Sequence, residues 1–142
     1  MASHTSSHAA APETLARGIL IESAPGRLVL GIPGTEYQLH LTPTAPVSIQ
    51  VGRRVSGTIT LNARRIDLCT TGGNSIDPLM GPPRNIVGRV VAHDPASNEL
   101  IVHARLPMRV RVKPPQTSHE FPVGSLVTFT AEPGATFTCA EN

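Results

Sequence analysis

The chain has 142 residues, 39% of them hydrophobic and 15% charged, with a formal net charge of +2 and a mean hydropathy near zero. That length holds one ordinary domain or two very small ones and excludes a large enzyme. The composition excludes a disordered chain, and no stretch nears the roughly 20 apolar residues of a membrane helix.

In chain order, the opening "MASHTSSHAAAPET", residues 1–14, is small, polar and proline-containing, with neither a basic lead nor an apolar run of signal-peptide length. It reads as a disordered tail on a cytoplasmic protein. Beyond it, 14 prolines, 12 glycines, no Trp and only four aromatic rings describe short elements joined by turns around a Val, Ile and Leu core. Such a composition favours strands.

The chain then repeats itself. "ARGILIESAPGRLVLG" begins a segment ending at Cys69, and "IVGRVVAHDPASNELIVHA" begins one ending near Cys139. Gly18 aligns with Gly88, Pro25 with Pro95, Leu28 with Leu100, Val51-Gly52 with Val123-Gly124, and Val55 with Val127. Period-two alternation in the second copy predicts strands at 87–92, 99–104, 108–112, 126–130 and 135–139. "HDPASN" and "FPVG" are turns among them, and no segment has a helical period. The expected organisation is a tail (1–14), a first β-barrel copy (15–70), a Gly/Pro-rich connector (71–85) and a second copy (86–142). Fold class is thus all-β: two pseudo-symmetric barrels of about five strands each, packed together because each copy alone is near the lower limit of a stable core. Strand exchange between the copies into one larger barrel is the alternative. The connector should dock through Ile76, Leu79 and Met80.

Charge is uneven along the chain. Arg84, Arg89, Arg105, Arg109, Arg111 and Lys113 face only Asp94 and Glu99 over residues 84–113, whereas residues 114–142 hold acids alone. In "MRVRVK", Met108, Val110 and Val112 alternate with Arg109, Arg111 and Lys113, which puts a basic ladder on the outer face of one strand. The aligned first-copy positions, Gln38, His40 and Thr42, lack that charge, and asymmetry on a repeated scaffold is where function is grafted. The same ladder also reads as a solvated face that prevents edge pairing. The candidate anion or partner site is therefore Arg105, Arg109, Arg111 and Lys113, joined by Arg64, Arg65 and Arg84 near the connector.

Histidines 4, 8, 40, 93, 103 and 119 show no spacing of a closed metal site. Cys69 and Cys139 end equivalent strands, and whether they pair stays open. No serine lies in a nucleophile-elbow context and no glycine turn is a phosphate loop. The expectation is no catalytic residue, no cofactor and no metal.

The segment "ARRIDLCTTGG" resembles the Asp/Asn-x-Ser-x-x-Gly signature of PilZ domains, with Asp67 as the acid, Gly72 as the glycine and Cys69 in place of the serine. The Arg-x-x-x-Arg arm of that family is missing. The resemblance implies cyclic-dinucleotide binding through Arg64 and Arg65. Over residues 16–140, the pattern "G-x-V-V-x-x-D-P-x-x-x-x-L-x-V" followed by "F-x-V-G-x-x-V-x-F" resembles small OB-like barrel domains of bacterial proteins. That likeness implies a non-catalytic binding or scaffolding module with a protein partner or a second copy of itself. A nucleic-acid binder and a PilZ-like cyclic-dinucleotide sensor are the alternatives, the former opposed by the scarcity of aromatic stacking platforms.

Overall fold

The computed structural model describes residues 14–140. The expected tail therefore lies outside the described residues except for Thr14, as do His4 and His8. The chain is all-β, with no α-helix among the described residues. Its strands are β1 (Ala16–Ala24), β2 (Arg27–Gly31), β3 (Gln38–Pro43), β4 (Arg54–Cys69), β5 (Ser75–Asp77) and β6 (Met80–Gly81). They continue as β7 (Asn85–Asp94), β8 (Glu99–Ala104), β9 (Leu106–Arg111), β10 (Leu126–Ala131) and β11 (Thr136–Cys139), with a 3-10 turn at Ser118–Glu120.

Alternation explains why these segments extend. On β4 the side of Val55, Ile59, Leu61 and Ala63 is buried, and on β9 that of Leu106, Met108 and Val110. Leu20, Leu28, Leu30, Leu39, Ile59, Leu61, Leu100 and Phe137 are fully buried members of one contiguous core.

All strands belong to one sheet, ordered β1-β2-β3-β11-β4-β10-β7-β8-β9. Both ends of this path return to β4. β1 pairs with its first turn-proximal residues (Gly18 opposite Val55), and β9 runs parallel to its middle (Leu61 opposite Val110). β11 pairs with β4 at 57–60 and β10 with β4 at 63–69. Each strand on the path thus has a neighbour on both sides over at least part of its length.

Some devices occur twice. Gly18 lies opposite Val55 and Gly88 opposite Val127. The β1–β2 ladder is irregular between Leu20 and Glu22, and the β7–β8 ladder between Val90 and Ala92. Gly52 donates its N–H to the Leu20 carbonyl and Gly124 to that of Val90, both at 2.7 Å. These glycines have φ of +94° and +95°, a region that L side chains rarely adopt.

Hydrogen bonds cross the boundaries expected at 70/71 and 85/86, since β4 pairs with β9, β10 and β11. The connector docks mainly through its backbone: β5 pairs with β7, β6 runs parallel to β3, and Gln38 N–H bonds to the Leu79 carbonyl. Ile76 is buried as expected, but Leu79 and Met80 stay exposed because the ladder at β6 joins main chains and leaves these side chains outside. Cys69 and Cys139 are free thiols. Cys139 lies opposite Gly57, twelve positions before Cys69 on β4, so at about 3.3 Å per residue the two are about 40 Å apart along the strand and cannot bridge.

Candidate anion-binding surface

The basic ladder of β9 forms as its alternation predicts, with Met108, Val110 and Val112 buried beneath it. Its charge, however, is met by carboxylates. Arg109 Nη1 bonds to Asp94 Oδ2 at 3.1 Å and to Glu99 Oε1, Arg111 Nε reaches Glu99 Oε2 at 3.2 Å, and Lys113 Nζ reaches Glu132 Oε2 at 3.2 Å. Register explains the first three contacts: β7–β8 sets Asp94 opposite Glu99, and β8–β9 sets Glu99 opposite Arg111. Glu99 is buried, and a buried carboxylate requires such partners.

Burial works against the Arg109 charge, but Glu99 and Asp94 outweigh it and raise the Arg109 pKa. Hydrogen bonding from Ser97, then from Arg109, holds the Asp94 carboxyl below its usual range. A carboxyl whose folded pKa is depressed contributes stability above its unfolded pKa, about 4, and loses it as pH falls through the lower folded value. Asp94→Asn is therefore expected to lower the urea midpoint at pH 7 and to have little effect near pH 2. An equal effect at both pH values would contradict the ion-pair role.

Arg64 and Arg65 occupy a bulge. Phe129 lies opposite Ile66 and Ala131 opposite Ala63, so β4 spends one more residue than β10 over this stretch. A bulge re-aims side chains, and here both arginines face outward. The Ile66 backbone beyond it is held by Gln116, which accepts its N–H at 2.9 Å and donates to its carbonyl at 2.8 Å. Arg65 Nε pairs with Asp67 Oδ1 at 2.9 Å, so the acid of the PilZ-like stretch is engaged by its own neighbour. Cys69 is half-buried and Gly72 has φ +126°. Arg64 and Arg84 line a common cleft, apart from the β9 ladder.

Arg105 sits elsewhere, in the one-residue turn between β8 and β9, at φ +67°. Non-glycine residues occupy that region sparingly. Its guanidinium lies over the Tyr37 ring, 5.5 Å from the centroid. Arg105 lines an open hollow of about 420 Å³ with Arg17, His103, Val91, Leu106 and Pro107. A second hollow, about 330 Å³, is lined by Arg17, Pro33, Arg54, Val55 and Ser56. The two share Arg17, and neither lining contains an aspartate or glutamate. The β1–β4 ladder, with Arg17 opposite Ser56 and Ile19 opposite Arg54, brings Arg17 and Arg54 to one face. None of the cations on this face has an ion pair among the described residues.

The seven arginine and lysine positions expected to form one site are thus distributed over three places. Arg17, Arg54 and His103 join Arg105 instead, and sequence alone gave them no common signal because three separate strands bring them together.

His93 donates from Nε2 to the Phe121 carbonyl, with the His119 ring 6.3 Å away. Among the described residues no three His, Cys, Asp or Glu side chains gather as a metal-ligand set, and no helix is long and apolar enough to cross a membrane. Phe121, Phe129 and Phe137 are all buried, and Tyr37 carries Arg105. No family model, curated protein or solved structure matches this chain.

Proposed function

We propose that the chain is a non-catalytic binding module whose partner is a protein with an acidic segment, engaged by Arg17, Arg54 and Arg105 with His103. The observation that carries this reading is the pair of adjoining hollows that share Arg17 and, among the described residues, contain no carboxylate, while Arg109 and Arg111 of β9 and Lys113 just beyond it are already met by Asp94, Glu99 and Glu132. Arginines without an ion pair among the described residues, beside the exposed Val91, suit a protein interface, where arginine is enriched. Buried phenylalanines leave no platform for unpaired bases, which favours an acidic protein over single-stranded nucleic acid. In this reading the partner is held by side chains, the strands of the main path having neighbours on both sides over part of their length.

The scaffold reading that accompanies it is two small OB-like barrels sharing β4. One comprises β1, β2, β3, β11 and the first half of β4; the other comprises β7, β8, β9, β10 and its second half. The doubled devices at Gly18 and Gly88, and at Gly52 and Gly124, support it. In this reading the copies exchange their last strands, and the ranges 15–70 and 86–142 are sequence copies, with 71–85 as the link between them.

Poly-L-glutamate is a suitable probe, followed by fluorescence anisotropy of labelled peptide against the full chain. Saturable binding is expected, weakening as salt screens it and falling at least tenfold in R17A/R54A/R105A, since each charge-assisted hydrogen bond contributes about 1.5–3 kcal/mol. Unchanged binding by the triple variant, or tighter binding of single-stranded DNA than of the peptide, would overturn the reading.

A further inference from the structure

The cleft between Arg64 and Arg84 shares no residue with the surface proposed above, and its chemistry differs. It encloses about 450 Å³, within the range of roughly 300–1,000 Å³ usual for small-molecule sites. Arg64 is delivered by the β4 bulge, and while Arg65 beside it pairs with Asp67, Arg64 has no ion pair among the described residues. Arg84 is fixed on both sides of its Cα: its N–H bonds to the Asp77 carbonyl at 2.9 Å, and its carbonyl accepts from Ala131 N–H at 2.6 Å.

Asp77, the one carboxylate of the lining, accepts from Asn85 Nδ2 at 3.4 Å and is paired with neither arginine. Asn85 in turn accepts from Thr130 Oγ1 at 3.1 Å, so the polar side chains beside the cleft are largely satisfied among themselves. The remaining walls are Pro78, Pro82, Pro83 and Pro133. Proline has a fixed φ and no N–H, so these walls are apolar and lose little freedom on binding.

Two guanidinium groups in such a setting match a phosphate, which each can bond through a planar fork. Proline rings match an apolar, flat body and supply no N–H donor to a polar one. We propose that this cleft binds a small organic phosphate, its anion between Arg64 and Arg84 and its ring against the prolines.

Phenyl phosphate titrated into the 15N-labelled full chain tests this. Saturable shifts are expected at the amides of Arg64, Arg84, Thr130 and Ala131. Affinity should fall at least tenfold in R64A and in R84A, whose amide spectra report whether each remains folded, and should be unchanged in R17A/R54A/R105A. Absence of saturable shifts, shifts spread over all the arginines, or inorganic phosphate binding as tightly as phenyl phosphate would overturn the proposal. Loss of poly-L-glutamate binding in the triple variant reads the other surface separately.

Discussion

Phe137→Ala is expected to lower the unfolding free energy by about 3–5 kcal/mol, the usual cost of removing a buried aromatic ring. Phe137 is fully buried although it lies only five residues from the end of the chain. Its strand, β11, sits between β3 and β4, with Phe137 opposite Pro43 on one side and Ile59 on the other. Against a total stability of about 5–15 kcal/mol for a domain of this kind, that loss is large. Because β4 pairs with strands from both halves of the chain, both halves should unfold together. Urea denaturation followed by Tyr37 fluorescence, unencumbered by any Trp, and by far-ultraviolet circular dichroism should therefore give coincident transitions, shifted alike in the variant. Two separate transitions, with only one of them shifted, would contradict the shared strand.

Gly57→Ala should be the next most damaging exchange. A Cβ there would stand 2.4 Å from the Thr138 carbonyl oxygen and 2.5 Å from Phe137 Cζ. Neither neighbour can retreat cheaply, one being backbone and the other a ring enclosed in the core. The expected cost is about 1–3 kcal/mol or more, the range of an overpacked core, and β11 is the element that must move. Gly73→Ala is the matching control, since a Cβ there meets nothing within 4 Å, and it should change stability by no more than about 0.5 kcal/mol. Thermal melts compare the two, and hydrogen exchange at Thr136–Cys139 localises the effect. Equal melting temperatures for both variants would argue against the close packing of β11 on β4.

Much of the fold was legible because it depends on local alternation. The strand expected at 99–104 is β8, and that at 126–130 is β10 but for one residue. The core face of β9 was equally plain, though the strand starts at Leu106, two residues earlier than the pattern at Met108 suggested, because β8 and β9 pair right up to their tight turn at Arg105. What periodicity does not carry is which strand lies beside which. The ladder of Arg109, Arg111 and Lys113 is visible in "MRVRVK", but its carboxylates come from β7, β8 and the segment after β10. Glu99, read locally, is a charged residue at a strand start; only pairing with β9 makes it a buried acceptor for two arginines. Arg17 and Arg54 similarly meet across β1 and β4, more than thirty positions apart. The bulge left a fainter sign: β4 is buried at every second position from Val55 to Ala63 and next at Ile66, three residues on, so the slip in "ARRI" marks where Arg64 is re-aimed.

The most direct test asks which arginines meet an acidic chain. Poly-L-glutamate titrated into the 15N-labelled protein at low salt should move the amides of Arg17, Arg54, His103 and Arg105 first and farthest, leaving those of Arg109 and Arg111 nearly still. The reverse order, with β9 responding and the Arg17 face silent, would return the binding surface to the ladder and contradict the claim that its charge is already taken by Asp94, Glu99 and Glu132.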